Sequence, residues 1–345
     1  MHYSTDQNEP PPESTEKAVL LQQEASLLFD QGDCEASRDK YQEAGEIYFK
    51  SGNGSQAGVC FRAAANCSRH LQDFNSAVRL YEKAGDAYHH AEESQLAARC
   101  YRQAADFSME SNEVEQAARC YMTAGQQFQS GGNLEAAASC FRDAGTANMK
   151  LGGHSEWQPF LNAAECYARA GDHENTADAY CSAAECYAAQ KNYEKESAGC
   201  YRKAKVAYGL GGNYDRAGAM HYLEMKMEHR RMKPLSRQRF LSWLYDMVCG
   251  YGESGPKVIG SSIAIILVFA LIYATDKDMN FGTPQGSTWS RLAAAVYFSV
   301  ITFTTVGYGD ITPTLWARPF AMTEAFIGAF MIALFVLVFS RKVMR

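Results

Sequence analysis

The chain has 345 residues, with 33 basic side chains against 39 acidic ones, a formal net charge of −6 and a pI near 5.8. That balance excludes a nucleic-acid binder held by a basic surface, and no nucleic-acid partner is expected. The 11 cysteines include no Cys-x-x-Cys pair, and the histidines, such as His89-His90 and His173, lack ligand spacing, so neither a zinc site nor a cofactor is indicated. No nucleophile, metal or phosphate-binding constellation is visible, and the chain is not expected to be an enzyme.

Residues 1–16 contain Pro10-Pro11-Pro12 and no apolar core segment, which predicts a disordered tail and not a signal peptide. From there to residue 232 the sequence repeats. Aromatic residues recur at Tyr41, Phe61, Tyr81, Tyr101, Tyr121, Phe141, Phe160, Tyr180, Tyr201 and Tyr222, spaced by 19 to 21 residues. The third residue after nearly every one is alanine, from Ala44 and Ala64 to Ala183 and Ala204, and turn signals such as Gly32-Asp33, Gly131-Gly132-Asn133 and Gly171-Asp172 fall between units. Each unit is therefore one helix of about four turns plus a tight connection, and two units form an antiparallel hairpin of about 40 residues. A ring on one helix fills the gap left by a small residue on the next, and stacked hairpins build a right-handed solenoid. Cys60, Cys100, Cys120, Cys140 and Cys200 directly precede repeat aromatics and read as small buried hydrophobes.

The phrase Ala163-Ala164-Glu165-Cys166-Tyr167-Ala168-Arg169-Ala170-Gly171-Asp172, together with a hairpin longer than that of ordinary tetratricopeptide repeats, resembles the elongated repeats of the soluble NSF attachment protein family. The resemblance covers about residues 17–230. It implies a TPR-like architecture able to hold a ligand or protein, without naming which.

Residues 233–256 connect the repeats to the apolar carboxy-terminal part of the chain. Phe240, Leu241, Leu244, Met247 and Val248 share one helical face, with Arg237, Arg239 and Asp246 elsewhere and Trp243 and Tyr245 suited to headgroup level. The segment is either an interfacial helix on the inner membrane surface or a last helix capping the solenoid. Gly250-Tyr251-Gly252-Glu253 reads as a flexible joint.

Two apolar segments come next, Val258 to Ala274 and Ala321 to Phe339, each long enough to cross a bilayer. They define a first transmembrane helix at 257–275 and a second with a short basic tail at 315–345, around an intervening segment at 276–314. Basic residues gather before the first span (Arg230, Arg231, Lys233, Arg237, Arg239) and after the second (Arg341, Lys342, Arg345), whereas the loop from Thr275 to Ser290 offers Lys277 only. Both ends are expected in the cytoplasm of a cell membrane protein. With six residues after Phe339 and no arginine-rich voltage sensor, regulation is expected from the amino-terminal side.

Between the spans, Trp289 to Phe303 lacks Gly and Pro and, with Ser287 or Thr288 as N-cap, reads as a helix. It runs into Thr304-Thr305-Val306-Gly307-Tyr308-Gly309-Asp310. The negative end of that helix dipole would favour a cation at its C-terminus. Gly307 and Gly309 can take positive φ, so that alternation with Val306 and Tyr308 turns successive carbonyls to one axis, with the Thr305 hydroxyl adding a ring below and Asp310 at the outer mouth. One chain supplies a quarter of each ring, and a homotetramer is implied. Tyr297 and Phe298 form either an aromatic cuff behind the filter or lipid-facing bulk.

Residues 257–345 thus resemble the two-transmembrane pore module of potassium channels: outer helix, pore helix, filter and inner helix in order. The resemblance implies K+ as permeant ion at Thr305, Val306, Gly307, Tyr308 and Gly309, with Thr304, Tyr297 and Phe298 supporting the filter. Leu315-Trp316-Ala317-Arg318 resembles the start of the inner helix. By that alignment Gly328 falls at the family's hinge, although a small residue there also serves close packing, and Ala329, Ile332 and Val336 face the cavity. Ile301 stands where some members carry a glutamate. Glu324, an acid within a span, is either functional or held near the outer surface by Arg318 or water. The expectation is an all-α, membrane-embedded, potassium-selective tetramer regulated by a cytosolic solenoid, with a membrane-anchored docking adaptor as the alternative.

Overall fold

A computed structural model describes residues 12–152, 156–276, 279 and 288–343. The expected tail up to residue 11, Lys277, Ser287 and Arg345 lie outside them. Among the described residues every regular element is a helix, and the chain divides into two compact units, Met1–Asn213 and Tyr214–Arg345.

The first unit is a run of ten helices, each packed on the next: α1 (Pro12–Asp30), α2 (Cys34–Lys50), α3 (Gly54–His70), α4 (Phe74–His90), α5 (Ser94–Glu110), α6 (Val114–Ser130), α7 (Leu134–Lys150), α8 (Gln158–Ala170), α9 (His173–Ala188) and α10 (Glu194–Leu210). Helix α1 begins five residues inside the segment expected as a tail, because a proline is compatible with the first helical turn, where its missing N–H has no partner to lose. Helices α2 to α7 are all 17 residues long, so the 20-residue sequence period is the helix plus a three-residue turn. Asp33, Asn53, Asp73, Asn133 and Asp172 cap the helices that follow them, each side chain accepting from the amide three residues on. The residue before the cap is left-handed in every turn of this kind. Glycine fills it at Gly32, Gly52 and Gly132, but Gln72 (φ 58°), Glu92 (φ 59°) and Asn112 (φ 62°) adopt it without glycine.

The ring-into-gap packing is specific. An ideal Cβ at Gly45 would lie 2.8 Å from the Phe61 ring, at Gly85 2.8 Å from Tyr101, at Gly125 2.7 Å from Phe141 and at Gly145 2.6 Å from Phe160. Gly145→Ala is therefore expected to destabilise the solenoid by about 1–3 kcal/mol, the range for overpacking a tight core, as read by thermal or urea unfolding. A polar repeat accompanies it. The Tyr81, Tyr101 and Tyr121 hydroxyls donate to Asn66, Asp86 and Asp106, in each case 15 residues earlier. Burial, followed by the accepting Asp106 carboxylate, pushes the Tyr121 hydroxyl well above its ordinary value. The repeat cysteines are buried, and desolvation pushes the Cys60 and Cys140 thiols up to about 12, which leaves them unreactive.

The second unit contains α11 (Tyr214–Arg231), α12 (Arg237–Cys249), α13 (Gly255–Thr275), α14 (Thr288–Phe303) and α15 (Arg318–Val343). Helix α11, expected as the last solenoid helix, belongs here: the repeat aromatic Tyr222 packs on Tyr251, with ring centroids 5.9 Å apart. The expected flexible joint at Gly250–Gly252 is a packed elbow. Tyr251 is 2% exposed at φ 54°, its hydroxyl is 3.0 Å from that of Ser242, and the Ser242 hydroxyl is 3.1 Å from His229 Nδ1. Ser236 caps α12, whose polar residues Ser242 and Asp246 bond inward, the latter to Lys257 at 2.7 Å. Phe240, Leu241, Trp243 and Met247 point outward. Helices α13 and α15 are both long and apolar enough to cross a membrane. The 21 residues of α13 reach about 32 Å.

Candidate functional site

The site is built on the last turn of α14. This helix packs between α13 and α15, with Ala295, Phe298, Ser299, Ile301 and Phe303 buried. After Phe303 the chain leaves the helix without breaking its hydrogen-bond ladder at once. Thr304 donates from its amide to the Val300 carbonyl at 2.9 Å, and its hydroxyl reaches the same oxygen at 2.7 Å. The Val306 and Gly307 amides both turn back to the Ile301 carbonyl, at 2.9 and 3.3 Å. With those two amides facing the helix, the Thr305 and Val306 carbonyls, trans to them, face away from it. Among the described residues no hydrogen bond uses the carbonyl oxygens of Thr305, Val306, Gly307, Tyr308 or Gly309.

The dihedrals explain how the chain holds that course. Gly307 and Gly309 sit at φ 56° and 77°. Thr305 is also left-handed, at φ 60°, with its hydroxyl donating to the Thr304 carbonyl at 2.7 Å; nothing in the sequence marks that position, because threonine rarely adopts this geometry. All seven residues from Thr304 to Asp310 are exposed in the single chain.

The two expected cuff residues part company. Tyr297 donates its hydroxyl to Asp310 Oδ2 at 2.9 Å, tying α14 to the residue after Gly309. Neighbours on a helix point about 100° apart, and Phe298 is buried edge-on against Tyr273 of α13, with ring centroids 4.9 Å apart. Asp276 supplies a tie that sequence reasoning missed: its carboxylate accepts from the Thr314 hydroxyl and its carbonyl from Arg291, joining the two ends of the re-entrant segment.

On α15 the residues separate by face. Ala329, Ile332 and Val336 are exposed, whereas Glu324, Gly328, Met331 and Val338 are buried. The helix runs without interruption through Gly328, where an ideal Cβ would lie 2.0 Å from the Phe303 carbonyl oxygen. Gly328 is thus a point of close approach between α15 and the end of α14. Glu324 is not held at the surface by Arg318: it is 0% exposed, accepts from the Tyr273 hydroxyl of α13 at 2.7 Å and lies within hydrogen-bond distance of the Ser299 hydroxyl of α14.

Comparison with known proteins agrees with this division. Residues 261–345 match the sequence profile of the family described as "Ion channel", and residues 12–150 match that of the soluble NSF attachment protein. The chain joins an attachment-protein-like solenoid to a two-helix ion channel module. The channel match takes in most of α13 and all of α14 and α15, and the solenoid match takes in α1 to α7. Among solved structures, BtubC from P. vanneervenii is 16% identical with a TM-score of 0.30, covering 65% of this chain and 94% of that one. The MamA protein is 14% identical with a TM-score of 0.29, covering 58% and 98% respectively. Pseudomonas aeruginosa pilF is 15% identical with a TM-score of 0.25, covering 67% and 99%. No curated protein matches the chain.

Proposed function

We propose that the ion channel is a potassium-selective homotetramer in a cell membrane, with both termini cytoplasmic and the solenoid acting as its regulatory part. The observation that carries this reading is the run of carbonyls from Thr305 to Gly309 that accept no hydrogen bond among the described residues, with the Val306 and Gly307 amides turned back to Ile301. Four such runs around an axis replace the hydration shell of a monovalent cation with uncharged oxygen. The C-terminal end of α14 adds partial negative charge on the ion's path, and Asp310 adds a full one at the entrance. No cofactor is required, because conduction is passive and K+ is the cargo.

Ala329, Ile332 and Val336 line the cavity in this reading, on the exposed stripe of α15. Opening is a movement of the inner helices near Gly328, where each bears on the pore helix. A ligand or protein on the solenoid biases that movement, and α12 with its packed elbow transmits it to α13. Replacing residues 236–249 with a flexible glycine-serine linker and deleting residues 1–213 are expected to give the same open probability, different from that of the intact chain. Unchanged opening in both variants would contradict regulation by the solenoid.

Conduction itself is tested with purified protein in liposomes. Potassium efflux above that of protein-free vesicles is expected, and none would leave the module as a membrane anchor for a docking solenoid.

A further inference from the structure

Glu324, Ser299 and Tyr273 are all 0% exposed and come from three different helices. Among the described residues no cation pairs with Glu324, and an unpaired carboxylate at this depth would be strongly disfavoured. The hydrogens around it can be counted. Ser299 has one hydroxyl hydrogen but two bonding neighbours, the Ile266 carbonyl at 2.8 Å and Glu324 Oε1. A backbone carbonyl only accepts, so it takes the serine's hydrogen. The Tyr273 hydroxyl donates to Glu324 Oε2 at 2.7 Å. The contact between Ser299 and Glu324 is then closed only if the carboxyl carries a hydrogen and donates it to the serine oxygen.

We infer that Glu324 works as a neutral acid, a hydrogen-bond bridge from the inner helix to the outer and pore helices that positions the filter. Its reach to the filter follows from spacing. Glu324 and Gly328 lie one turn apart on α15 and meet Ser299 and Phe303, one turn apart on α14. Between those two contacts lies Ile301, whose carbonyl holds the Val306 and Gly307 amides. The Ile301 side chain offers no hydrogen bond, so the position of that carbonyl depends on where the helix as a whole is held. Glu324 is a positioning residue in this account, which rests on the potassium-filter reading above.

The test uses the full chain reconstituted in bilayers. Glutamine reproduces a neutral acid here, accepting from Tyr273 through its oxygen and donating to Ser299 through its amide. Glu324→Gln is expected to keep potassium flux and the potassium-to-sodium permeability ratio within about twofold of the parent, whereas Glu324→Leu and Ser299→Ala lower the ratio roughly tenfold by leaving buried polar groups unpaired. Glutamine as damaging as leucine would overturn the inference by showing that charge is required; leucine and Ser299→Ala channels as selective as the parent would overturn the positioning role. Should Glu324→Leu fail to assemble, Ser299→Ala carries the same reading with the loss of one oxygen. Independently, the infrared difference between the parent and Glu324→Gln is expected to contain the carbonyl stretch of a protonated carboxyl, and a carboxylate signature in its place would overturn the inference. A parent channel that conducts without potassium preference would count against the filter reading, while the infrared difference would still decide the protonation of Glu324.

Discussion

Gly307→Ala is expected to abolish the preference for potassium over sodium while leaving the solenoid and the membrane spans folded. Within the chain, a Cβ at this position would meet nothing within 4 Å, so the objection to alanine is not lack of space. It is conformational. Gly307 sits at φ 56°, and an L-residue there costs about 1–2 kcal/mol, or roughly 4–8 kcal/mol over four subunits. The cheapest relief is rotation of the adjoining peptide plane, which swings a carbonyl off the axis and puts an amide in its place. In the proposed tetramer, four misdirected dipoles would repel the cation that the ring is to hold. The permeability ratio, measured in planar bilayers, is the readout. A Gly307→Ala channel that still prefers potassium would contradict the role given to this backbone.

Gly328→Ala is expected to fail earlier, at assembly. The added carbon would sit 2.0 Å from the Phe303 carbonyl oxygen and 2.8 Å from its carbon, and a backbone carbonyl at the end of a packed helix cannot rotate aside as a side chain would. Separating α14 from α15 enough to admit it is expected to cost about 3 kcal/mol per subunit, the upper end for overpacking. Loss of the proposed tetramer on heating or in mild detergent, followed by size, is the measurement. A glycine needed only as a hinge makes the opposite prediction, since alanine continues a helix well and would alter opening while sparing assembly. Close packing and bending need not exclude each other, but the contact with Phe303 has to be released or carried along whenever the inner helix moves.

The sequence disclosed those parts of this fold that repeat or that depend on chemistry confined to a few consecutive residues. The aromatic period of Tyr41 to Tyr201 reappears as α2 to α10, because a ring opposite a glycine or alanine is a requirement that every unit must meet in the same place. Turns were readable where glycine marks them, as at Gly32 and Gly132. They were silent at Gln72, Glu92 and Asn112, whose left-handed backbone is imposed by the flanking helices and not by local preference. The left-handed backbone at positions 307 and 309 was legible as glycine, and that of Thr305 was not, for the same reason as at Glu92.

Features that depend on contacts between distant segments stayed hidden. Tyr297 with Asp310, Asp276 with Thr314 and Glu324 with Tyr273 and Ser299 join residues on separate elements, and the two partners of Glu324 lie 51 and 25 positions from it in the chain. An acid such as Glu324 announces itself by being expensive in a membrane, but its partners are chosen by helix packing, which no local pattern encodes. The elbow at Gly250–Gly252 misled in the other direction: glycines that suggest freedom surround Tyr251, which is buried and hydrogen-bonded.

In the proposed channel, main-chain oxygens from Thr305 to Gly309 take the place of the water around a potassium ion. The reversal potential of the purified protein in a planar bilayer, with potassium on one side and sodium at equal concentration on the other, tests this most directly. A potential displaced strongly toward that of a potassium electrode is the predicted result, and one near zero would contradict it.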